Sequence, residues 1–181
     1  MKAVVFLADG FEECEALIVV DILRRAGVET IMASISDQLL IDSSRHIIIQ
    51  ADALADDLDF SDTDLVILPG GRLGTENLRQ SRVVQETVKS FTKDKMIAAV
   101  CAAPSILSEL GLLNGKKATV HPDYAGKMAG AEVLDESIVV DGNIVTGQGL
   151  GATIPFALEL VKILVSIEEA DRIRKGICYG D

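Results

Sequence analysis

Short, uninterrupted apolar runs alternate with longer amphipathic segments along this chain, and no other feature restricts its possible folds as much. "AVVFLA" (3–8), "ETIMAS" (29–34), "DLVILPGG" (64–71) and "MIAAVCA" (96–102) are strand-length runs, while "EALIVVDILRRAG" (15–27) and "RVVQETVKSFTK" (82–93) lie between them. A strand without polar alternation is covered on both faces, and intervening helices supply the crossovers that parallel strands require. The expected class is α/β with a mostly parallel sheet.

Later segments extend this pattern. "QLLIDSSRHIIIQ" (38–50) places two apolar runs around Asp42-Ser43-Ser44 and reads as a hairpin or an edge addition to the sheet. The acid-rich stretch 51–64 reads as a solvated connection. "APSILSELG" reads as a helix ending at Gly111, "KKATVHP" (116–122) as a short strand, and "SIVVDGNIVTG" (137–147) as a hairpin turning at Asp141-Gly142. Two closing helices follow, in "GATIPFALELVKILVS" and "EEADRIRKGI". With 181 residues, 49% of them hydrophobic, and neither repeat nor linker, the expectation is one domain over 1–181.

Charge and cysteine usage exclude several functions. Seventeen basic against 28 acidic residues give a net charge of −11, which repels a phosphate backbone, so nucleic acid is not an expected partner. Cys14, Cys101 and Cys178 lie far apart and are odd in number, which suggests neither a disulfide framework nor a metal site, and fits a reducing compartment. "MKAVVFLADG" stops being apolar at Asp9 and reads as a first strand rather than a leader, and Asp21 interrupts "ALIVVDIL". No membrane association is expected, and the expected location is cytoplasmic.

Cys101 stands between a strand and the opening of a helix. Ligands of open α/β sheets bind beyond the carboxyl ends of the strands. Ala99-Val100-Cys101-Ala102-Ala103 has the small-x-nucleophile-x-small form of a nucleophile elbow, with alanines where glycines are usual. The following helix start is expected to favour the thiolate; the alternative is a thiol that merely packs. Pro69-Gly70-Gly71 closes another strand, and the Gly71 and Ala102 amides together offer an oxyanion site. Glu12, Glu13 and Glu15 crowd one helical turn, where the dipole welcomes acids. A carboxyl buried beside Cys101 would have a raised pKa and could donate a hydrogen bond to sulfur. The residues alone do not say which acid that is. His121 lies just past a strand, the position a Cys–His pairing needs, whereas His46 falls within the hairpin run.

"FEECEALIVVDILRRAG", "SRHIII", "LPGG", "AAVCAAP", "HPD" and "GQGLGATIPFALELV" together resemble the ThiJ/PfpI superfamily, in the clade of the Parkinsonism-associated deglycase and bacterial YajL. The resemblance runs from about Ala3 to Val165. It implies a flavodoxin-like three-layer sandwich, a homodimer, and a nucleophile-elbow cysteine at Cys101 touched by Glu15. It also implies His121 nearby, oxyanion amides on Gly71 and Ala102, and Arg25 contributed across the dimer, with Asp21 at the interface. The implied activity is cofactor-independent glyoxalase or deglycase chemistry on reactive α-oxoaldehydes or glycated protein side chains. Redox sensing or chaperoning through oxidation of Cys101 is the alternative. Ala102 stands where the family's peptidases carry histidine, which weighs against peptidase activity. Asp123 forms an H-x-D pattern with His121, leaving a glutaminase-type arrangement as a runner-up.

Overall fold

The computed structural model describes residues 1–91 and 94–180; Thr92 and Lys93, at the end of the 82–93 segment, and Asp181 lie outside the described residues. β1 (Lys2–Leu7), α1 (Glu13–Arg25), β2 (Glu29–Ser34), β3 (Leu40–Asp42), β4 (Ile48–Gln50) and β5 (Ala53–Leu54) open the chain. β6 (Leu65–Leu68), α2 (Arg72–Gln80), α3 (Arg82–Ser90), β7 (Met96–Val100) and α4 (Pro104–Glu109) follow. β8 (Lys117–Ala118), β9 (Glu132–Val133), β10 (Ile138–Asp141), β11 (Ile144–Gly147), α5 (Thr153–Leu164) and α6 (Ile167–Gly176) complete it.

Seven strands form the central sheet in the order β10-β11-β7-β6-β1-β2-β5, parallel throughout except for the β10–β11 hairpin. Its strands are apolar on both faces because both faces are covered. Ala3, Val5 and Leu7 of β1 join Val19, Leu23 and Phe156 in a core beneath α1, α5 and α6. Val4 and Phe6 point the other way, toward Leu78, Val88 and Ile106 of α2, α3 and α4. The result is the expected three-layer α/β sandwich. Among the described residues no helix is long and apolar enough to cross a membrane.

Several local readings change. The 38–50 segment is a hairpin, with Leu40 opposite Gln50, but it forms a separate two-stranded sheet; β5, within the stretch read as connection, is the edge of the main one. "KKATVHP" contributes only Lys117–Ala118, paired with β9, because the Thr119 N–H leaves the ladder for Thr146 Oγ1 at 2.9 Å. In the 137–147 hairpin Asp141 pairs with Ile144, so Gly142, at φ 63°, and Asn143 form the loop. Asp141 is held in the strand by accepting from the Lys117 N–H at 2.9 Å. Helix α2 was not anticipated at all: "RLGTENLRQ" is polar, short and preceded by Pro-Gly-Gly, which locally signals a turn.

Candidate active site

β2 lies on one side of β1 and β6 on the other, so the chain reverses its direction of travel across the sheet there. The connections leaving β1 and β6 diverge at their carboxyl ends, where open α/β sheets bind ligands. α1 begins after β1, Gly70 and Gly71 follow β6, and Cys101 follows the neighbouring β7.

Cys101 adopts φ 62°, one of three non-glycine residues with positive φ among the described residues. An L-residue held in this region costs on the order of 1–3 kcal/mol and persists only where its surroundings fix it. Here the Cys101 N–H donates to the Gly147 carbonyl at 2.9 Å, and its carbonyl accepts from the His121 N–H at 2.8 Å. The strand, the sharp turn and the helix starting at Pro104 have the form expected of an elbow.

The three glutamates divide the work. Glu12 caps α1, its Oε2 accepting from the Glu15 N–H at 2.7 Å. Glu13 turns toward the β3–β4 hairpin and accepts from Ser44 Oγ at 3.1 Å. Glu15, 1% exposed, accepts from the Gly70 N–H at 3.0 Å and is hydrogen-bonded to the Cys101 sulfur. Gly70 is glycine for steric reasons, since a Cβ there would lie 2.5 Å from Cys101 Cβ and overlap Glu15 Oε2. Gly71, at φ 88°, lies so close to the β1–α1 loop that a Cβ would meet the Glu12 nitrogen at 2.6 Å.

Electrostatics link acid and thiol. Burial pushes the Glu15 carboxyl from an ordinary 4.5 up to about 7, with the Glu12 charge adding to the rise and the Cys101 and Gly70 hydrogen bonds opposing it. Burial, then the Glu15 charge and hydrogen bond, push the Cys101 thiol up to about 12, while the Gly71 and Ala102 amides pull it down. The lowered thiol pKa expected from a helix start is therefore not found: burial beside a carboxylate outweighs two amides. Thiolate is reached by moving a proton onto Glu15, which removes the opposing charge, so the two groups titrate as a pair.

The structure brings Cys101, Glu15, Gly71 and Ala102 together, with both amides near enough to the sulfur to favour its charged form. His121 lines the same cleft as Cys101, which it shares with Arg45, Arg72, Asp123, Tyr124 and Lys127. The His121 ring reaches its own turn, Nδ1 accepting from the Asp123 N–H at 3.3 Å, whereas the Asp123 carboxylate stands 3.8 Å away. A neutral ring that accepts at Nδ1 carries its proton on Nε2. That is opposite to a carboxylate-oriented base, so the H-x-D arrangement lacks the geometry a glutaminase-type triad needs. Arg25 sits at the far end of α1, roughly 15 Å of helix from Glu15, where its Nε donates to Asp21 at 2.7 Å. Within one protomer it takes no part in the site. Arg45 and Arg72 were missed: "SSRH" reads as a hairpin turn, and Arg72 opens the unanticipated α2.

These features define an α/β protein with a strained cysteine and a buried glutamate at the carboxyl ends of its parallel strands. The chain belongs to the DJ-1/PfpI family, which it matches over residues 1–163. It is 35% identical over 185 residues to the zebrafish (Danio rerio) Parkinson disease protein 7 homolog, covering 99% of this chain and 98% of that protein. It is 33% identical over 168 residues to Deglycase TK1284 of Thermococcus kodakarensis, covering 91% and 99%. The Drosophila melanogaster DJ-1beta structure superimposes with a TM-score of 0.95 at 32% identity, covering 99% of this chain and 98% of that one. The chain spans only 39% and 44% of the length of the two Arabidopsis thaliana DJ-1 homologs, B and A, that it matches.

Proposed function

We propose that this protein is a cysteine-dependent enzyme of the glyoxalase/deglycase type, acting on reactive α-oxoaldehydes or on their adducts with protein side chains in carbonyl and oxidative stress defence. The observation that carries the reading is the Glu15 carboxyl, buried against the Cys101 sulfur and near-neutral in its titration, beside the converging Gly71 and Ala102 amides. The deglycase name of the Thermococcus relative supports the substrate class.

In this mechanism Cys101 passes its proton to Glu15 and adds to the aldehyde carbon, giving a hemithioacetal whose oxyanion the two amides receive. Glu15, with a pKa near the operating pH, returns its proton to the oxyanion. As a carboxylate it then carries a proton from the aldehyde carbon to the adjacent carbon while the hydroxyl proton shifts to the neighbouring oxygen, converting the adduct to a thioester. Water hydrolyses the thioester, regenerating the thiol and releasing an α-hydroxy acid, so the net reaction adds one water to one α-oxoaldehyde. His121, with its Nε2 proton, is the neighbouring donor. A homodimer in the cytoplasm is part of the proposal. Exposed Leu40, Ile47 and Ile48 on the β3–β4 hairpin offer more apolar surface than α1, most of whose apolar positions are buried within the chain itself.

The test is multiple-turnover formation of lactate from methylglyoxal without glutathione, followed by NMR. Cys101→Ser is expected to abolish it, and Glu15→Ala to lower it on the order of 10²–10⁴-fold. Loss of aldehyde in proportion to protein, with no lactate formed, would sink the reading. It would leave the second one, oxidation of Cys101 to a sulfinate in a redox sensor or chaperone, which the same hydrogen-bond donors around the sulfur favour.

A further inference from the structure

We propose that Arg79 is a positioning residue for the oxyanion site: from the far end of α2 it holds Ser105, and through Ser105 the Ala102 turn, at the spacing from Gly71 that lets both amides serve the Cys101 sulfur. The inference rests on Cys101 as the reacting thiol and adds the residue that sets the amides around it.

The two amides belong to different segments. Gly71 precedes α2, and Ala102 lies in the turn between β7 and α4. Each therefore moves with its own helix unless something ties the two together. Among the described residues, both hydrogen bonds that join α2 to α4 come from Arg79: Nη2 donates to Ser105 Oγ at 2.9 Å and Nη1 to the Glu109 carboxylate. Ser105, 1% exposed, passes the contact on, its Oγ donating to the Ala102 carbonyl at 2.7 Å. A hydroxyl that accepts from a guanidinium turns its own proton away from the cation, here onto Ala102, and the charge strengthens both bonds. The carbonyl on the other side of the Ala102 amide, that of Cys101, is held by the His121 N–H at 2.8 Å.

The near end of α2 is fixed as well. The Gly74 N–H donates to the Gly10 carbonyl at 3.0 Å, and a Cβ on Gly74 would lie 2.5 Å from Phe11 Cα. Arg79 stands roughly 12 Å of helix beyond Gly71, so α2 is a strut anchored to the β1–α1 loop at one end and to the Ala102 turn at the other. The Arg79 side chain is 19% exposed, the least of the six arginines that have a carboxylate oxygen within 4.0 Å. It has two such carboxylates, Glu76 at 3.4 Å from Nε and Glu109. The planar fork of a guanidinium meets three separate acceptors at once, where a lysine ammonium is a single point on a flexible stem.

The rate of iodoacetamide modification at Cys101, followed against pH by peptide mass spectrometry on the full chain, tests this without reference to turnover, with exposed Cys178 as a control in the same sample. Arg79→Gln is expected to lower the rate above pH 7 roughly tenfold, the scale of one weakened hydrogen bond to a charged sulfur. The pH at which the rate steps up, which Glu15 sets, is expected to stay near 7. Ser105→Ala is expected to lower the rate comparably, and the double variant no further than the larger single loss. A general loosening of the fold would instead admit water to Glu15 and move the step toward 4.5. An unchanged rate in Arg79→Gln, additive losses in the double variant or a displaced step overturns the proposal; if Arg79→Gln does not fold, an unchanged rate in Ser105→Ala does so. Failure of the unsubstituted Cys101 to react at any pH would refute the nucleophile reading instead. The Ala102 amide NMR signal then decides: Arg79→Gln is expected to shift it, Ser105→Ala to reproduce the shift, and an unmoved signal overturns the proposal.

Discussion

Replacing Glu15 by Gln removes a charge that folding buries, and the effect on stability has a definite sign. The folded chain holds the Glu15 proton up to about pH 7, whereas an ordinary carboxyl releases it near 4.5. Between those values the folded state binds more protons than the unfolded one, so the Glu15 contribution to stability is unpenalised below pH 4.5 and falls as pH rises through 7. A rise of roughly 2.5 pKa units at 1.36 kcal/mol each corresponds to about 3 kcal/mol. Gln has the same shape and does not titrate. The stability of Glu15→Gln relative to the natural chain should therefore increase by about 2.5 kcal/mol between pH 5 and pH 8, because the unfolded carboxyl is already mostly ionised at pH 5. Titrating groups that do not interact with Glu15 cancel in the difference. Paired urea titrations at the two pH values measure it, and thermal melts should shift in relative Tm by roughly 5–10 °C for a chain of this size. Any constant loss from the altered Gly70 and Cys101 hydrogen bonds appears equally at both pH values. A stability difference that is the same at pH 5 and pH 8 would refute the claim that Glu15 is protonated by burial.

The rate of iodoacetamide modification at Cys101 should rise with a step near pH 7, where the pair loses its first proton; Glu15→Gln should lose that step, and a profile centred near an ordinary thiol value in both proteins would uncouple the two groups. Gly70→Ala should destabilise the fold by about 1–3 kcal/mol and slow Cys101 modification, because the new methyl overlaps Glu15 Oε2 and Cys101 Cβ; denaturant melts and alkylation rates check both. Glu13→Gln should speed amide exchange in β3 and β4 by weakening the Ser44 anchor while leaving the β6–β7 amides protected, and hydrogen-exchange mass spectrometry resolves the two regions.

The sequence by itself determined the layer architecture, because side-chain period is a local property. A run such as "AVVFLA" with no polar alternation can only be a strand covered twice, and β1 does divide its residues between two cores. Cys101 was legible for a similar reason: small residues around a thiol at a strand-to-helix junction permit the φ of 62° found there. Polarity hid α2, whose helical state follows from packing Leu78 into the core and setting Gly74 against Phe11. Which of Glu12, Glu13 and Glu15 meets the sulfur was open from the residues alone, and only the family resemblance pointed to Glu15. The three acids have nearly the same local environment in sequence, and they differ in what crosses them: a cap, a hairpin serine, and the Gly70 amide 55 residues away beside Cys101. The thiol pKa was misjudged on the same ground. A helix start can be read locally, but the burial of a second ionisable group against the sulfur comes from β1, β6 and β7 ending side by side, and long-range pairing of that kind is decided in the tertiary structure.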